Sequence, residues 1–152
     1  MESQNNHSSI KFQKIILASL SILLIAFILF FKSTIFESTL QLRNFGNLTM
    51  DPEIAFTNGK PTYLEFYAEW CEICKEMASD VTELKNDFDN EINFVFLNVD
   101  NPKWDKFIKR FKVNGIPQIN IFDSNSNLQA TFTGLQEEKT LKNSINNIIE
   151  EV

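Results

Sequence analysis

Cys71 and Cys74 are the only thiols among 152 residues, and they stand three positions apart in the stretch EWCEICKEMASD, 69–80. A pair at this spacing can do one of three things. It can close into a disulfide and reopen, the first sulfur attacking as a thiolate and the second resolving the mixed disulfide that forms. It can supply half of a zinc site, which takes four N or S ligands. It can also be buried as two small hydrophobes without chemistry. The zinc reading is short of ligands, because the single histidine, His7, lies beyond a long apolar segment and a second copy of the chain would have to lend its own cysteines. The idle reading leaves the position unexplained. Cys71 falls where an apolar strand gives way to a helix, and free N–H groups and the helix dipole favour a thiolate there. The redox reading accounts for that placement and needs neither a metal nor a cofactor beyond the Cys71–Cys74 couple itself.

The elements that must hold the pair are readable from hydrophobic periodicity. TYLEFYA (62–68) is a near-continuous apolar run of strand length, and Met77, Val81, Leu84 and Phe88 then recur at helical spacing. INFVFLNV (92–99) reads as a second strand, and Trp104, Phe107, Ile108 and Phe111 as another helical stripe. QINIF (118–122) and LQATFT (128–133) flank the polar turn DSNSN as a hairpin, and Leu141, Ile145, Ile148 and Ile149 mark a last helix. Before the first strand, MDPEIAFTNGK reads as a short helix capped by Asp51, opened by Pro52 and ended by Gly59. Strands alternating with helices, closed by a hairpin, imply an α/β fold with a central mixed sheet flanked by helices. The cysteines then lie at the carboxyl end of a central strand, the usual place for a site in an open α/β sheet.

The run IILASLSILLIAFILFF, 15–31, is broken only by two serines and reads as one transmembrane helix at the short end of what spans a bilayer. A cleaved signal is the competing reading, but its apolar core is usually shorter, about 7 to 15 residues, and FFKSTIFES offers no small-x-small cleavage site. Lys11 and Lys14 precede the run, whereas Lys32 and Glu37 follow it, which favours the N-terminus inside. The expected organisation is an inside segment 1–14, an anchor 15–31 in the lipid bilayer, a stalk 32–50, and a domain 51–152 on the extracytoplasmic side, where disulfides persist. A net charge of −6 without a Lys/Arg stripe argues against a general grip on nucleic acid.

FYAEWCEICK resembles the active-site segment of thioredoxins, and VNGIPQINIF resembles their loop carrying a cis-proline. LNVDNPKW and the CEIC motif are most similar to the membrane-anchored thioredoxin-like proteins of cyanobacteria and thylakoids, the TxlA type, over roughly residues 51–150. The resemblance implies a thioredoxin-like fold, with Cys71 as nucleophile and Cys74 as the resolving thiol. It makes Ile116-Pro117 a cis peptide that pairs with an extended substrate strand, although a trans turn proline fits the local sequence equally well. It makes Trp70 a substrate platform, and Glu65 the buried acid that takes a proton from Cys74; read locally, Trp70 could simply pack, and Glu65 could face solvent on an edge strand. Glu72 and Ile73 stand where thioredoxins carry Gly-Pro, Phe96 where a lysine often lies near the acid, and Ser79 where a proline kinks the helix. Glu72, Ile73 and Lys75 are thus expected to tune the couple, with Glu69 and Glu76 adding negative charge that Lys75 opposes.

The function this implies is a protein-disulfide reductase facing the thylakoid lumen or periplasm. It would be supplied with electrons by a CcdA-like transmembrane thiol transporter and would act on disulfide-containing proteins such as apocytochromes c. An oxidase or isomerase of the same fold, a cytochrome-maturation thioredoxin of the bacterial type, and a non-catalytic thioredoxin-fold adaptor are the alternatives.

Overall fold

A computed structural model describes residues 5–150, with side chains placed for 13–31, 37–47 and 49–150. The first four and last two residues, expected to belong to the inside segment and the end of the domain, lie outside the described residues. The chain runs α1 (Asn5–Leu48), α2 (Pro52–Ala55), β1 (Thr62–Tyr67), α3 (Glu72–Phe88), β2 (Asn93–Asn98), a 3₁₀ turn at Pro102–Trp104, α4 (Asp105–Arg110), β3 (Gln118–Phe122), β4 (Leu128–Thr133) and α5 (Glu138–Glu150). By internal contacts it divides after Glu37 into two units.

In the first unit, Gln13–Phe31 forms a stretch of helix long and apolar enough to cross a membrane, none of it buried within the protein. The hydroxyls of Ser19 and Ser21 donate to the carbonyls of Ile16 and Ala18, each at 2.8 Å. Both polar groups are thereby satisfied inside the helix, as a hydrocarbon surrounding demands.

The second unit is built on one sheet in the order β2-β1-β3-β4, with β2 parallel to β1 and the other pairings antiparallel. This is the expected mixed sheet. β1 is internal and every one of its residues is buried, so it reads as a continuous apolar run rather than an alternating one. Tyr63, Tyr67 and Phe96 turn to one face, where they meet Met77, Val81 and Leu84 of α3 and Leu141, Ile145 and Ile148 of α5. Leu64, Phe66, Val95 and Leu97 turn to the other, against Ala55, Trp104 and Phe107. The short helix α2 opens as expected, with Asp51 accepting the Glu53 N–H at 2.9 Å and Pro52 in its first turn, but it ends sooner, at Ala55 with Phe56 as a right-handed cap, and Gly59, with φ +75°, turns the chain further on.

The expected stalk differs from what is observed. From Ser38 onward it belongs to the second unit, and Leu42 and Phe45, one turn apart on α1, are buried in that unit's core. Phe45 stacks on Phe96 at 4.3 Å and meets Tyr67 edge-on at 6.4 Å. The Thr49 hydroxyl accepts the Phe96 N–H at 2.8 Å, occupying a donor on the free edge of β2. A Cβ at Gly46 would lie 2.8 Å from the Tyr67 hydroxyl oxygen, so only glycine lets the helix approach this closely.

Candidate active site

The site starts at the end of β1. The chain leaves the strand at Tyr67, and Cys71 becomes the N-cap of α3, with φ −76° and ψ 111°. Its sulfur accepts the Cys74 N–H at 3.1 Å, doing for the helix what a serine or aspartate oxygen does in most caps. Cys71 and Cys74 are joined in a disulfide, with Cα atoms 5.2 Å apart. Both sulfurs border the core, Cys71 being 6% exposed and Cys74 1%. When the bond is reduced, the Cys74 amide and the aligned peptides of a 17-residue helix are directed at the Cys71 sulfur, which favours its thiolate.

Trp70, the residue before Cys71, lines a groove of about 400 Å³ together with Val99, Asp105, Ile108, Val113 and Ile116, among others. Trp70 is 63% exposed, so it is not a packing residue. Its indole N–H donates to Asp100 at 2.9 Å, which holds the ring at the rim. Ile116-Pro117 is a cis peptide, and the Pro117 carbonyl accepts the Gly134 N–H at 2.9 Å. Trp70 and Ile116 are therefore brought to one groove, and Pro117 leads from it into β3.

Glu65 lies on the internal strand β1, flanked in register by Phe96 of β2 and Ile119 of β3, and is 1% exposed. It shares the face of Tyr63 and Tyr67, and hence the core that contains both cysteines. Burial pushes its carboxyl up to about 7, although the Tyr63 hydroxyl, which donates to it at 2.8 Å, pulls the other way. A buried carboxyl that titrates near neutrality can take up and release a proton under ordinary conditions.

The charges around Cys71 are more evenly matched than the sequence implies. Lys75 pairs with Glu72 at 2.8 Å, and Arg43, from the end of α1, reaches Glu69 at 3.2 Å. Ile73 and Glu76 are exposed on the first turns of α3. Sequence reasoning missed Arg43, Asp100 and Tyr63. The first two are 26 and 30 residues from their partners and carry no local signal. Tyr63 carried one: on a strand, positions 63 and 65 share a face.

The thioredoxin family profile matches residues 46–147. The chain is 36% identical over 126 residues to the thioredoxin-like protein HCF164, chloroplastic, of Arabidopsis thaliana, covering 83% of this chain and 48% of that protein. It is 40% identical over 95 residues to the thiol:disulfide interchange protein TxlA homolog of Synechocystis, covering 62% of this chain and 53% of that protein. The chain thus spans about half the length of these two relatives. Among solved structures, the germline-specific thioredoxin Deadhead of Drosophila melanogaster superposes with a TM-score of 0.54 at 29% identity, covering 63% of this chain and 88% of that one. With the fold, the Cys71–Cys74 disulfide at a helix N-terminus and the cis-proline all in place, the chain belongs to the thioredoxin family.

Proposed function

We propose that this chain is a membrane-anchored protein-disulfide reductase working on the extracytoplasmic side, the thylakoid lumen or periplasm, through the Cys71–Cys74 dithiol and without a further cofactor. The observation that carries the reading is the placement of the pair. One sulfur caps α3 next in sequence to Trp70, which lines a groove with Ile116 of the cis peptide, and the other lies one turn on, in the core that the strand face carrying the buried carboxyl borders. In the reducing direction the Cys71 thiolate attacks a substrate disulfide. The substrate's S–S bond breaks, a Cys71–substrate bond forms, and the released substrate sulfur takes a proton. Cys74 then gives its proton to Glu65 and attacks Cys71, closing the disulfide seen here and releasing the second substrate sulfur as a thiolate. Trp70 and Ile116 present the apolar walls against which an extended substrate segment lies, with Pro117 at the end of the groove. Glu72, Ile73 and Lys75 set the local charge and exposure of the couple.

The name of the Synechocystis relative supports the interchange chemistry, and that of the Arabidopsis relative is consistent with a chloroplast setting. The apolar helix supports the anchor, and the lysines before it support an N-terminus inside. Electrons would come from a CcdA-like transporter, and apocytochromes c would be among the substrates. The full chain in detergent is expected to accelerate reduction of a protein disulfide such as insulin's by dithiothreitol, read as turbidity. No acceleration over the uncatalysed rate would favour the non-catalytic adaptor instead.

A further inference from the structure

The buried carboxyl has a partner that the thiol–disulfide cycle as described leaves without a role. Tyr63 is fully buried two residues before Glu65 on β1, and its hydroxyl donates to Glu65 Oε2 at 2.8 Å. Its ring is fixed between neighbours, 5.2 Å from Phe94 and 6.2 Å from Phe96 by centroids, so the hydroxyl has one place to point. Glu65's register neighbours, Phe96 and Ile119, cannot ionise or donate from their side chains. Among the described residues, the other titratable groups in the core on this face are Tyr63 and Tyr67 from β1 and the two cysteines at the start of α3. The core residues that α5 and the end of α1 contribute are Leu141, Ile145, Ile148, Leu42 and Phe45, all apolar.

We propose that Tyr63 is a positioning residue for the thiol–disulfide step, its hydroxyl fixing the Glu65 carboxyl as the proton acceptor for Cys74. This rests on the reductase reading and names a component of the same site. A carboxylate in a core of this kind is disfavoured by desolvation, and a single strong donor favours the charged form over the neutral one. Tyr63 can supply that donor across the working range, because burial and then the neighbouring Glu65 hold its own ionisation well above the ordinary tyrosine value. The bond also selects one orientation, leaving the second carboxyl oxygen to receive the proton. In the step itself the Cys74 proton moves to Glu65, the Cys71–Cys74 bond forms, the Cys71–substrate bond breaks, and the substrate leaves as a thiolate. No other reactant is needed.

The test uses the full chain in detergent, reduced and then treated with an aryl disulfide that leaves a coloured thiolate on resolution of the Cys71 adduct. The resolution rate is followed against pH, and the Glu65 carboxyl is titrated separately by isotope-edited infrared spectroscopy. In Tyr63→Phe both midpoints are expected to rise by about one pH unit, and the rate at pH 7 to fall by about fivefold, the deficit closing as pH rises. A 3-fluorotyrosine at position 63 keeps the shape with a more acidic phenol and is expected to move both midpoints down, which covers the case in which the phenylalanine variant folds poorly. In a Glu65→Gln background, Tyr63→Phe is expected to leave the profile where it is. A wild-type chain that reduces disulfides while neither substitution moves a midpoint overturns this inference alone. A wild-type chain that reduces no protein disulfide at any pH overturns the reading beneath it, even if the carboxyl still titrates with its tyrosine.

Discussion

A Cys71→Ser chain is expected to lose protein-disulfide reduction down to the uncatalysed rate, a fall on the order of a thousandfold or more. A Cys74→Ser chain is expected to keep the first attack and accumulate mixed disulfides with its substrates. The asymmetry follows from where the two sulfurs sit. Cys71 caps α3 next to Trp70 and the groove, and its sulfur receives the Cys74 N–H, so removing its thiol removes the only thiolate a substrate can meet. Cys74 is inside the first turn and 1% exposed, so its target is Cys71 rather than the substrate. Serine in its place leaves nothing to displace the adduct. Non-reducing electrophoresis and mass spectrometry after mixing with a substrate separate the outcomes. Equal residual activity in the two variants would contradict the assignment of roles.

The second large effect is on stability and has a definite sign. Glu65 titrates at about 7 in the folded protein against 4.5 as its ordinary value, with burial as the main cause. Because the folded state holds this proton more tightly than the unfolded chain, the contribution of Glu65 to stability is highest below about pH 4.5, falls as pH rises toward 7, and is level above that. The whole change is on the order of 3 kcal/mol. Glu65→Gln cannot ionise and keeps an oxygen for the Tyr63 hydroxyl. It is expected to match the wild type near pH 4 and to be more stable at pH 8 by roughly 2–3 kcal/mol, while resolving mixed disulfides more slowly. Denaturant unfolding of the oxidised proteins at both pH values measures this, and the difference between variant and wild type removes what other groups such as Asp123 contribute. A difference that does not change with pH would mean that Glu65 is charged and solvated in the folded state.

How much of this could be read from the residues follows from how local each signal is. The spacing of Cys71 and Cys74, the apolar run of β1 and the stripe of α3 are all contained within one or two elements, and they were enough to place the pair at a strand-to-helix junction. The VNGIP loop is likewise contiguous. The end of α1 was not legible as part of the domain, because among the described side chains there Leu42 and Phe45 alone are buried, while Arg43, Asn44 and Asn47 are exposed and leave no sustained period. Its importance lies in contacts with Tyr67 and Phe96, far along the chain. Charge was misjudged for a related reason: the acids around Cys71 were countable, but the arrival of Arg43 at Glu69 was not. For Glu65 the local sequence fits a buried acid and a solvated edge-strand residue alike, and the sheet order, with β1 internal, removes the edge-strand alternative.

The most direct test of the central claim is the reduction potential of the Cys71–Cys74 couple in the full chain, measured by equilibration against redox buffers of known ratio. A value near thioredoxin's, about −270 mV, is expected for a reductase supplied from across a membrane. A value near or above about −180 mV, the range of isomerases and oxidases, would contradict it.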